Sequence, residues 1–182
     1  MTATALAAEL DLNRTVVHRL VSTLESHGLV RRDGEARIGL GAGLLGLADA
    51  VWPWVRAGAT PVLRRLADDA GATAHLTVAE GVQALAVAVV EPSWTDFHVA
   101  YRVGSRHRLD RGAAGRALSA PVGTYVCTQG ELQPGAHGLA APLAGVPGLV
   151  GSVGVVMLGP LDRERVGPRV VAAAAEVATV LR

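Results

Sequence analysis

The chain of 182 residues contains no lysine, one cysteine and few aromatic side chains. All 17 basic residues are therefore arginine, which we attribute to composition bias rather than to function. The single cysteine, Cys127, excludes an intramolecular disulfide and fits the reducing cytoplasm. The formal net charge of +1 is too small for a protein that binds polyanions over its whole surface. Any surface for nucleic acid must therefore be local.

The sequence also lacks a secretory signal and an uninterrupted hydrophobic span. Residues 1–10 have no basic region and contain Glu9. The longest uncharged stretch, residues 138–161, is long enough to cross a bilayer, but three prolines and many glycines interrupt it. Two buried strands with a turn explain this stretch better, so no membrane association is predicted. With 50% hydrophobic and 18% charged residues, the chain is predicted to fold around one core or two small ones.

Two short helices near the N terminus carry the most informative pattern. Apolar residues recur every three or four positions, first up to Leu12 and then from Val16 to Leu24. Asn13 suits the N-cap of the second helix and Gly28 its C-cap. Because the turn between them is so short, the helices must cross steeply, as in a helix-turn-helix. The predicted inward face of the second helix consists of Val16, Val17, Leu20, Val21 and Leu24.

A basic hairpin is predicted directly after the second helix. Residues 29–32 and 36–40 have the pattern of short strands around a turn at Asp33-Gly34, which indicates a winged helix-turn-helix. Arginine, threonine and serine side chains donate to base edges and phosphates, so we predict a DNA-binding surface here. Its residues are Arg14, Thr15, His18, Arg19 and Ser22 on the helix and Arg31, Arg32 and Arg37 on the hairpin. The alternative is a solvated amphipathic helix followed by an ordinary hairpin.

The remainder of the chain predicts an α+β domain. A linker helix is expected over residues 43–51, and a second helix from Pro61 in its first turn to residue 70. A short helix is expected over 111–120 and a closing helix over 170–181. The strands predicted from alternation or from buried apolar runs cover residues 73–79, 83–90, 97–103, 136–143 and 150–158.

Residues 6–48 resemble the DNA-binding domain of IclR-type transcriptional regulators, notably in residues 15–20 and 38–41. Residues 103–107, 112–118 and 131–142 resemble the ligand-domain signatures of that family. The resemblance implies a winged helix-turn-helix over 1–42, a linker helix over 43–58 and a GAF-like α+β effector-binding domain over 59–182. The chain resembles a short form, without the family's leading helix and with less helical chain between 120 and 125. We therefore expect residues 2–40 to be only marginally ordered unless a partner chain, or residues 43–54 folding back, covers the apolar side of the two helices.

The resemblance also implies a function. The protein would be a cytoplasmic regulator, not an enzyme, that binds a double-stranded DNA operator as a homodimer or a dimer of dimers. A small organic effector would control it. Carried over from the family, the effector-binding positions are Ala113, Ala114, Thr128, Gly138, Val156 and Leu158. The small residues 112–115 would let a carboxylate approach a helix N terminus, although they also suit close packing. Apolar Val156 and Leu158 favour a more apolar effector, or a pocket that has lost its ligand.

The sequence gives little support for a cofactor site, a metal site or an enzymatic activity. Gly41-x-Gly43-x-x-Gly46 matches a dinucleotide-binding fingerprint, but the strand before it is short and contains Arg37. We interpret these glycines as an exit from the hairpin that allows close helix contact, and we predict no cofactor. The six histidines lack metal-ligand spacing, so no metal is predicted. Two alternatives stay open: a small-molecule sensor or dimerisation protein that has lost DNA binding, and an enzyme that uses the glycine-rich segment.

Overall fold

The structure is a computed structural model that describes residues 1–50, 52–95, 99 and 101–182, with only the backbone of residues 48 and 49. The chain divides into two compact units, Met1–Pro53 and Trp54–Arg182. The residues expected to form the linker, 43–58, fall on two helices and on both sides of this division. Within the described ranges, no helix is both long enough and apolar enough to span a membrane.

The first unit is a pair of helices followed by a hairpin and a third helix. The elements are α1 (Ala3–Glu9), α2 (Arg14–Ser26), β1 (Val30–Arg32), β2 (Ile38–Leu40) and α3 (Gly43–Ala50). Asn13 caps α2, because its Oδ1 accepts a hydrogen bond of 2.8 Å from the Thr15 amide. Gly28 ends α2 with φ of +69°, and the next amide donates back to the Leu24 carbonyl at 2.9 Å. Both predicted caps are therefore confirmed, as is the winged helix-turn-helix arrangement.

The inward face of α2 is narrower than predicted. Val17 and Val21 are buried against Ala3 and Ala7 of α1, with Leu6, Val30 and Ile38 at the margin of this small core. Val16, Leu20 and Leu24 are 46%, 52% and 40% exposed, so their predicted inward orientation is wrong. The alanines of α1 allow a close approach over one stripe of α2. The three exposed residues lie on the neighbouring stripe, which no described residue covers.

The glycines of the fingerprint-like segment have a packing role in the structure. A Cβ atom at Gly41 would overlap the Gly28 carbonyl, and one at Gly43 would lie 2.9 Å from the same oxygen. The Gly43 amide donates to that carbonyl at 2.9 Å. Residues without side chains therefore let the exit of the hairpin pass directly against the end of α2. The preceding strand, β2, pairs antiparallel with β1, unlike the parallel strand of a dinucleotide-binding unit.

The second unit is a six-stranded antiparallel sheet with three helices. The helices are α4 (Pro53–Ala70), α5 (Gly112–Ala117) and α6 (Arg163–Val180). The strands are β3 (Thr73–Glu80), β4 (Gln83–Val90), β5 (Arg106–Arg108), β6 (Val126–Gln129), β7 (Ala136–Pro142) and β8 (Gly151–Leu158). They lie side by side in the order β5-β4-β3-β8-β7-β6, with every pairing antiparallel. The predicted α+β class is confirmed.

Three predicted elements differ from the observed ones. Helix α4 begins at Pro53, not near Pro61: Pro53 occupies the first position, where proline is favoured, and the exposed Pro61 is accommodated within the helix. Helix α6 begins at Arg163, with the Asp162 carboxylate as its N-cap, before the predicted start at 170. The strand predicted over 97–103 falls partly outside the described residues, and Val99 and residues 101–103 are not in a strand.

The two faces of the sheet have different chemistry. Leu76 and Val78 of β3 and Val153 and Val155 of β8 point to one face, where they form the main core together with apolar residues of α4 and α6. The alternating residues of β3 on the other face are Thr73, His75 and Thr77, all buried. Helix α5 packs on that second face through Ala113 and Ala117, next to Ala140 of β7. The polar face beneath α5 is where the candidate site lies.

Candidate functional site

The predicted DNA-binding residues of α2 form an exposed surface. Arg14, Thr15, His18, Arg19 and Ser22 are all exposed. The hairpin arginines differ from one another. Arg31 is exposed. Arg37 pairs with Glu35 at 2.7 Å. Arg32 lies 3.4 Å from the Glu25 carboxylate and donates to Ser22 Oγ at 3.4 Å. The structure therefore brings Arg32 and Ser22 together, through surface contacts that cost little to break.

The second unit contains a cavity of about 270 Å³ on the polar face of the sheet. The sheet contributes His75 from β3, Thr128 from β6, Ala136 and Gly138 from β7, and Val156 from β8. Helix α5 contributes Gly112, Ala113 and Ala114 as the facing wall. The side chain of Ser152 on β8 holds α5 in place, because its hydroxyl donates to the Ala114 carbonyl at 2.9 Å in the interior.

Five of the six predicted effector positions line this cavity. They are Ala113, Ala114, Thr128, Gly138 and Val156. Leu158 follows Val156 on the same face of β8, but it lies at the end of the strand, is 50% exposed and does not line the cavity. Small residues keep the cavity open between α5 and β7. A Cβ atom on Gly138 would already lie 3.2 Å from the Cβ of Ala113, so a larger residue there would crowd α5.

The polar wall of the cavity was not predicted from the sequence. His75 is buried, and its ring packs edge-on against Tyr101 with centroids 5.0 Å apart. Its Nδ1 lies 3.2 Å from the hydroxyl of Thr77. Burial lowers the pKa of His75 to about 3, with a smaller contribution from the neighbouring His107, so the His75 ring is neutral near pH 7. A polar residue at every second position of β3, within an apolar strand, is the signal that could have revealed this wall.

Two buried polar atoms of this wall, Tyr101 Oη and His107 Nε2, make no hydrogen bond of ordinary geometry with a described residue, although the Thr77 hydroxyl lies near Tyr101 Oη. Both residues line the cavity. Burial raises the pKa of Tyr101, more than the nearby Thr77 hydroxyl lowers it, so the phenol is protonated. Buried polar atoms in folded proteins are almost always hydrogen-bonded, so these two atoms are candidates for contact with a ligand.

The expected carboxylate position at the start of α5 is already taken by Glu131. One carboxylate oxygen accepts from the Gly112 amide at 2.8 Å, and the other lies 3.0 Å from Arg116 Nη2. Arg111 also donates to the Glu131 backbone carbonyl. The chain's own acid therefore fills the place that a ligand carboxylate was expected to occupy. Among the residues that the structure describes, no group of three His, Cys, Asp or Glu side chains could hold a metal ion.

Family models match both units of the chain. Residues 1–34 match the IclR helix-turn-helix domain, and residues 54–146 match the bacterial transcriptional regulator IclR C-terminal domain. The chain belongs to the IclR family of bacterial transcriptional regulators. It is thus a DNA-binding regulator whose C-terminal domain binds a small-molecule effector, and the resemblance seen in its sequence is confirmed.

Solved structures of IclR proteins share the fold at low sequence identity. A regulator from Alicyclobacillus acidocaldarius is 21% identical with a TM-score of 0.83, over 100% of this chain and 90% of that one. An IclR homolog from Microbacterium hydrocarbonoxydans, complexed with 4-hydroxybenzoate, is 19% identical with a TM-score of 0.82 and coverages of 100% and 91%. HmgR of Pseudomonas aeruginosa is 20% identical with a TM-score of 0.79 and the same coverages. A search of the curated proteins gives no significant match.

Proposed function

We propose that this IclR regulator reads its operator with the exposed face of α2 and senses its effector in the cavity beneath α5. The observation that carries the proposal is the pairing of two surfaces in one chain. One surface is the exposed face of α2, which carries hydrogen-bond donors and follows the Asn13 cap. The other is a small cavity with two unpartnered polar atoms. The first is suited to duplex DNA and the second to a small organic molecule.

On the DNA, we propose different roles for the two groups of arginines. Arg14 and Arg19, with Thr15, His18 and Ser22, would enter the major groove from the N-terminal half of α2. Arg31, Arg32 and Arg37 would contact phosphates beside the groove. Arg32 would exchange its contacts with Glu25 and Ser22 for a phosphate, which is favourable because exposed ion pairs are weak.

We also propose that the protein acts as a dimer. One 13-residue reading helix contacts only a few base pairs, and two copies on an inverted repeat double the contact. Effector binding would favour one spacing of the two α2 helices over another and so change operator affinity. As a regulator of bacterial DNA, it would act in the cytoplasm.

The DNA role is tested by selecting duplexes from a random library with the full chain and then measuring affinities by fluorescence anisotropy over a salt series. We expect the selected duplexes to be inverted repeats. Arg19→Ala should weaken binding to a selected duplex by about 1–3 kcal/mol and binding to its scrambled version much less. Arg32→Ala is the matched control, because loss of a phosphate contact weakens both duplexes alike and reduces the salt slope by about one.

Equal loss on both duplexes for Arg19→Ala would place that side chain on phosphate only. No enrichment of any sequence by the full chain would instead favour the second candidate function, a sensor without DNA binding. The exposed apolar residues Val16, Leu20 and Leu24 on the reading helix are the observation that keeps this candidate open.

A further inference from the structure

The cavity offers a ligand no free cationic position among its described lining residues. Arg106 is the one arginine in the lining, and it pairs with Glu80 and donates to Gln83 at 3.5 Å. The Gly112 amide at the start of α5 is bound to Glu131, whose carboxylate itself lines the cavity. A ligand carboxylate would therefore be desolvated beside the Glu131 carboxylate, which Arg116 already pairs, and it would have to displace Glu80 from Arg106 to gain a positive partner.

The hydrogen bond of His107 determines which kind of ligand group its unpartnered nitrogen requires. His107 Nδ1 lies 3.0 Å from the backbone carbonyl oxygen of Arg108. A carbonyl can only accept, so Nδ1 carries the proton. In the neutral ring, Nε2 then has a lone pair and accepts. This buried Nε2 has no donor among the described residues, so the ligand must supply one.

Tyr101 adds a second requirement for the ligand, a group that accepts a hydrogen bond. Its phenol is protonated and buried, so its O–H can donate into the cavity while its ring rests against His75. A hydroxyl group is the simplest group that accepts from Tyr101 and donates to His107 Nε2 at once. The rest of the lining nearby, including Ala113, Gly138 and Val156, has little polarity and leaves room for a flat apolar body.

We infer that the effector of this cavity is a small, uncharged ring compound whose hydroxyl group binds Tyr101 and His107. The ring lies against the small residues of α5 and β7. This inference rests on the proposed role of the cavity as the effector site. It makes His107 and Tyr101 the specificity-determining residues and Glu131 the residue that excludes acids.

Three probes of similar size separate these requirements by isothermal titration calorimetry on the full chain. We use 4-methylphenol, 4-methylanisole, in which the hydroxyl is methylated, and 4-hydroxybenzoate, which adds a carboxylate. We expect 4-methylphenol to bind about tenfold more tightly than 4-methylanisole, as the loss of a buried hydrogen bond implies. We expect a preference of at least about tenfold over 4-hydroxybenzoate, because its carboxylate must be desolvated.

The variants assign these preferences to residues. In His107→Leu and in Tyr101→Phe, the preference for 4-methylphenol over 4-methylanisole should fall to within about twofold. His107→Gln has an amide oxygen that accepts, and it should keep part of the preference. Glu131→Gln should improve the relative affinity for 4-hydroxybenzoate. His137→Gln, on β7 outside the cavity lining, is the matched control and should leave all three affinities unchanged.

Equal binding of 4-methylphenol and 4-methylanisole, tighter binding of 4-hydroxybenzoate, or no binding of any probe would overturn the inference. Anisotropy with a selected duplex separates this result from the proposed function. If 4-hydroxybenzoate binds more tightly and changes operator affinity, the function stands and the inference fails. If 4-methylphenol shows the expected preferences but leaves operator affinity unchanged, the chemistry of the cavity is right and its regulatory role is wrong.

Discussion

Among single residues, His75 is a titratable side chain that folding removes almost completely from water. It is buried on the central strand β3, next to Tyr101 and beneath α5. Its pKa of about 3 in the folded protein compares with 6.5 for a free histidine. The unfolded chain therefore takes up a proton at a pH at which the folded protein does not.

This difference predicts how stability depends on pH. Above about pH 6.5, His75 is neutral in both states and its contribution to the free energy of unfolding is constant. As the pH falls from about 6.5 towards about 3, the unfolded state gains the proton, and the free energy of unfolding decreases by about 1.4 kcal/mol per pH unit. Urea unfolding of the second unit, followed at several pH values, measures this slope.

The matched variants are His75→Gln, which removes the buried group, and His27→Gln, which changes an exposed one. Between about pH 6.5 and 3, the free energy of unfolding of His75→Gln should fall less steeply than that of the wild type, by about 1.4 kcal/mol per pH unit. The pH dependence of His27→Gln should follow that of the wild type. Identical slopes in all three proteins would mean that His75 takes up its proton in the folded state as readily as in the unfolded chain.

The residues that could be predicted from the sequence are those whose role is local. Asn13 and Gly28 cap α2 through atoms only a few positions away, so the pattern of the helix itself locates them. Tyr101 and His107 could not be predicted in the same way. His107 comes near His75 because β5 pairs with β4 and β4 pairs with β3, and the Tyr101 ring packs against His75 from a distant part of the sequence. Nothing local in the sequence signals a buried atom without a partner.

At the scale of elements, α2 has two apolar stripes and buries only one of them. Val17, 2% exposed, faces α1, whereas Leu20 is 52% exposed. We expect Val17→Ala to reduce the stability of α2 by about 1–3 kcal/mol, because it removes buried methyl groups and leaves a cavity. Leu20→Gln should change it by less than about 0.5 kcal/mol, because the side chain is already in water. Amide exchange of α2 in the full chain, followed by nuclear magnetic resonance, measures both.

The outcome that would contradict this orientation is a larger effect of Leu20→Gln than of Val17→Ala. It would mean that the second stripe is covered in solution, for instance by a second copy of the chain. A concentration dependence of the Leu20→Gln effect would then distinguish association from a rearranged fold.

The elements that could be predicted are those with enough length to show a period. Strand β3 alternates and strand β4 is an apolar run, each over eight residues, and both were predicted to within one residue of their observed ends. Strands β5 and β6 have three and four residues and exist because their neighbours supply partners. A period cannot be recognised over so few positions, so they were missed.

At the scale of the whole molecule, the two units have cores of very different size. Among the described residues of the first unit, the buried core is small and consists of Ala3, Ala7, Val17 and Val21. The core of the second unit includes residues from α4, α6 and the four central strands β4, β3, β8 and β7. Since stability follows buried apolar area, we expect the first unit to open far more often than the second.

Hydrogen exchange followed by mass spectrometry tests this difference in the full chain. Peptides spanning residues 16–24 should exchange by local opening, much faster than peptides spanning 151–158, which should exchange only on global unfolding. Adding a selected duplex should slow the first set and leave the second unchanged, because only the first unit contacts DNA in our proposal. Equally slow exchange in both sets of peptides without DNA would contradict this expectation. It would show that the first unit is stabilised by contacts beyond those of its own small core.

The pairing of β3 with β8 has a consequence for synthesis on the ribosome. These neighbours at the centre of the sheet come from opposite ends of the second unit, and their register joins Thr73 to Val156 and Val78 to Gly151. The nascent chain can form the β3–β4 hairpin early, but the inner edge of β3 stays open until almost the last residues emerge. A premature stop before Gly151 would therefore release an unpaired edge with an apolar face, a substrate for chaperones and proteases. Because Val156 of β8 lines the cavity, a chain that stops before Gly151 lacks part of the cavity wall and cannot respond to an effector.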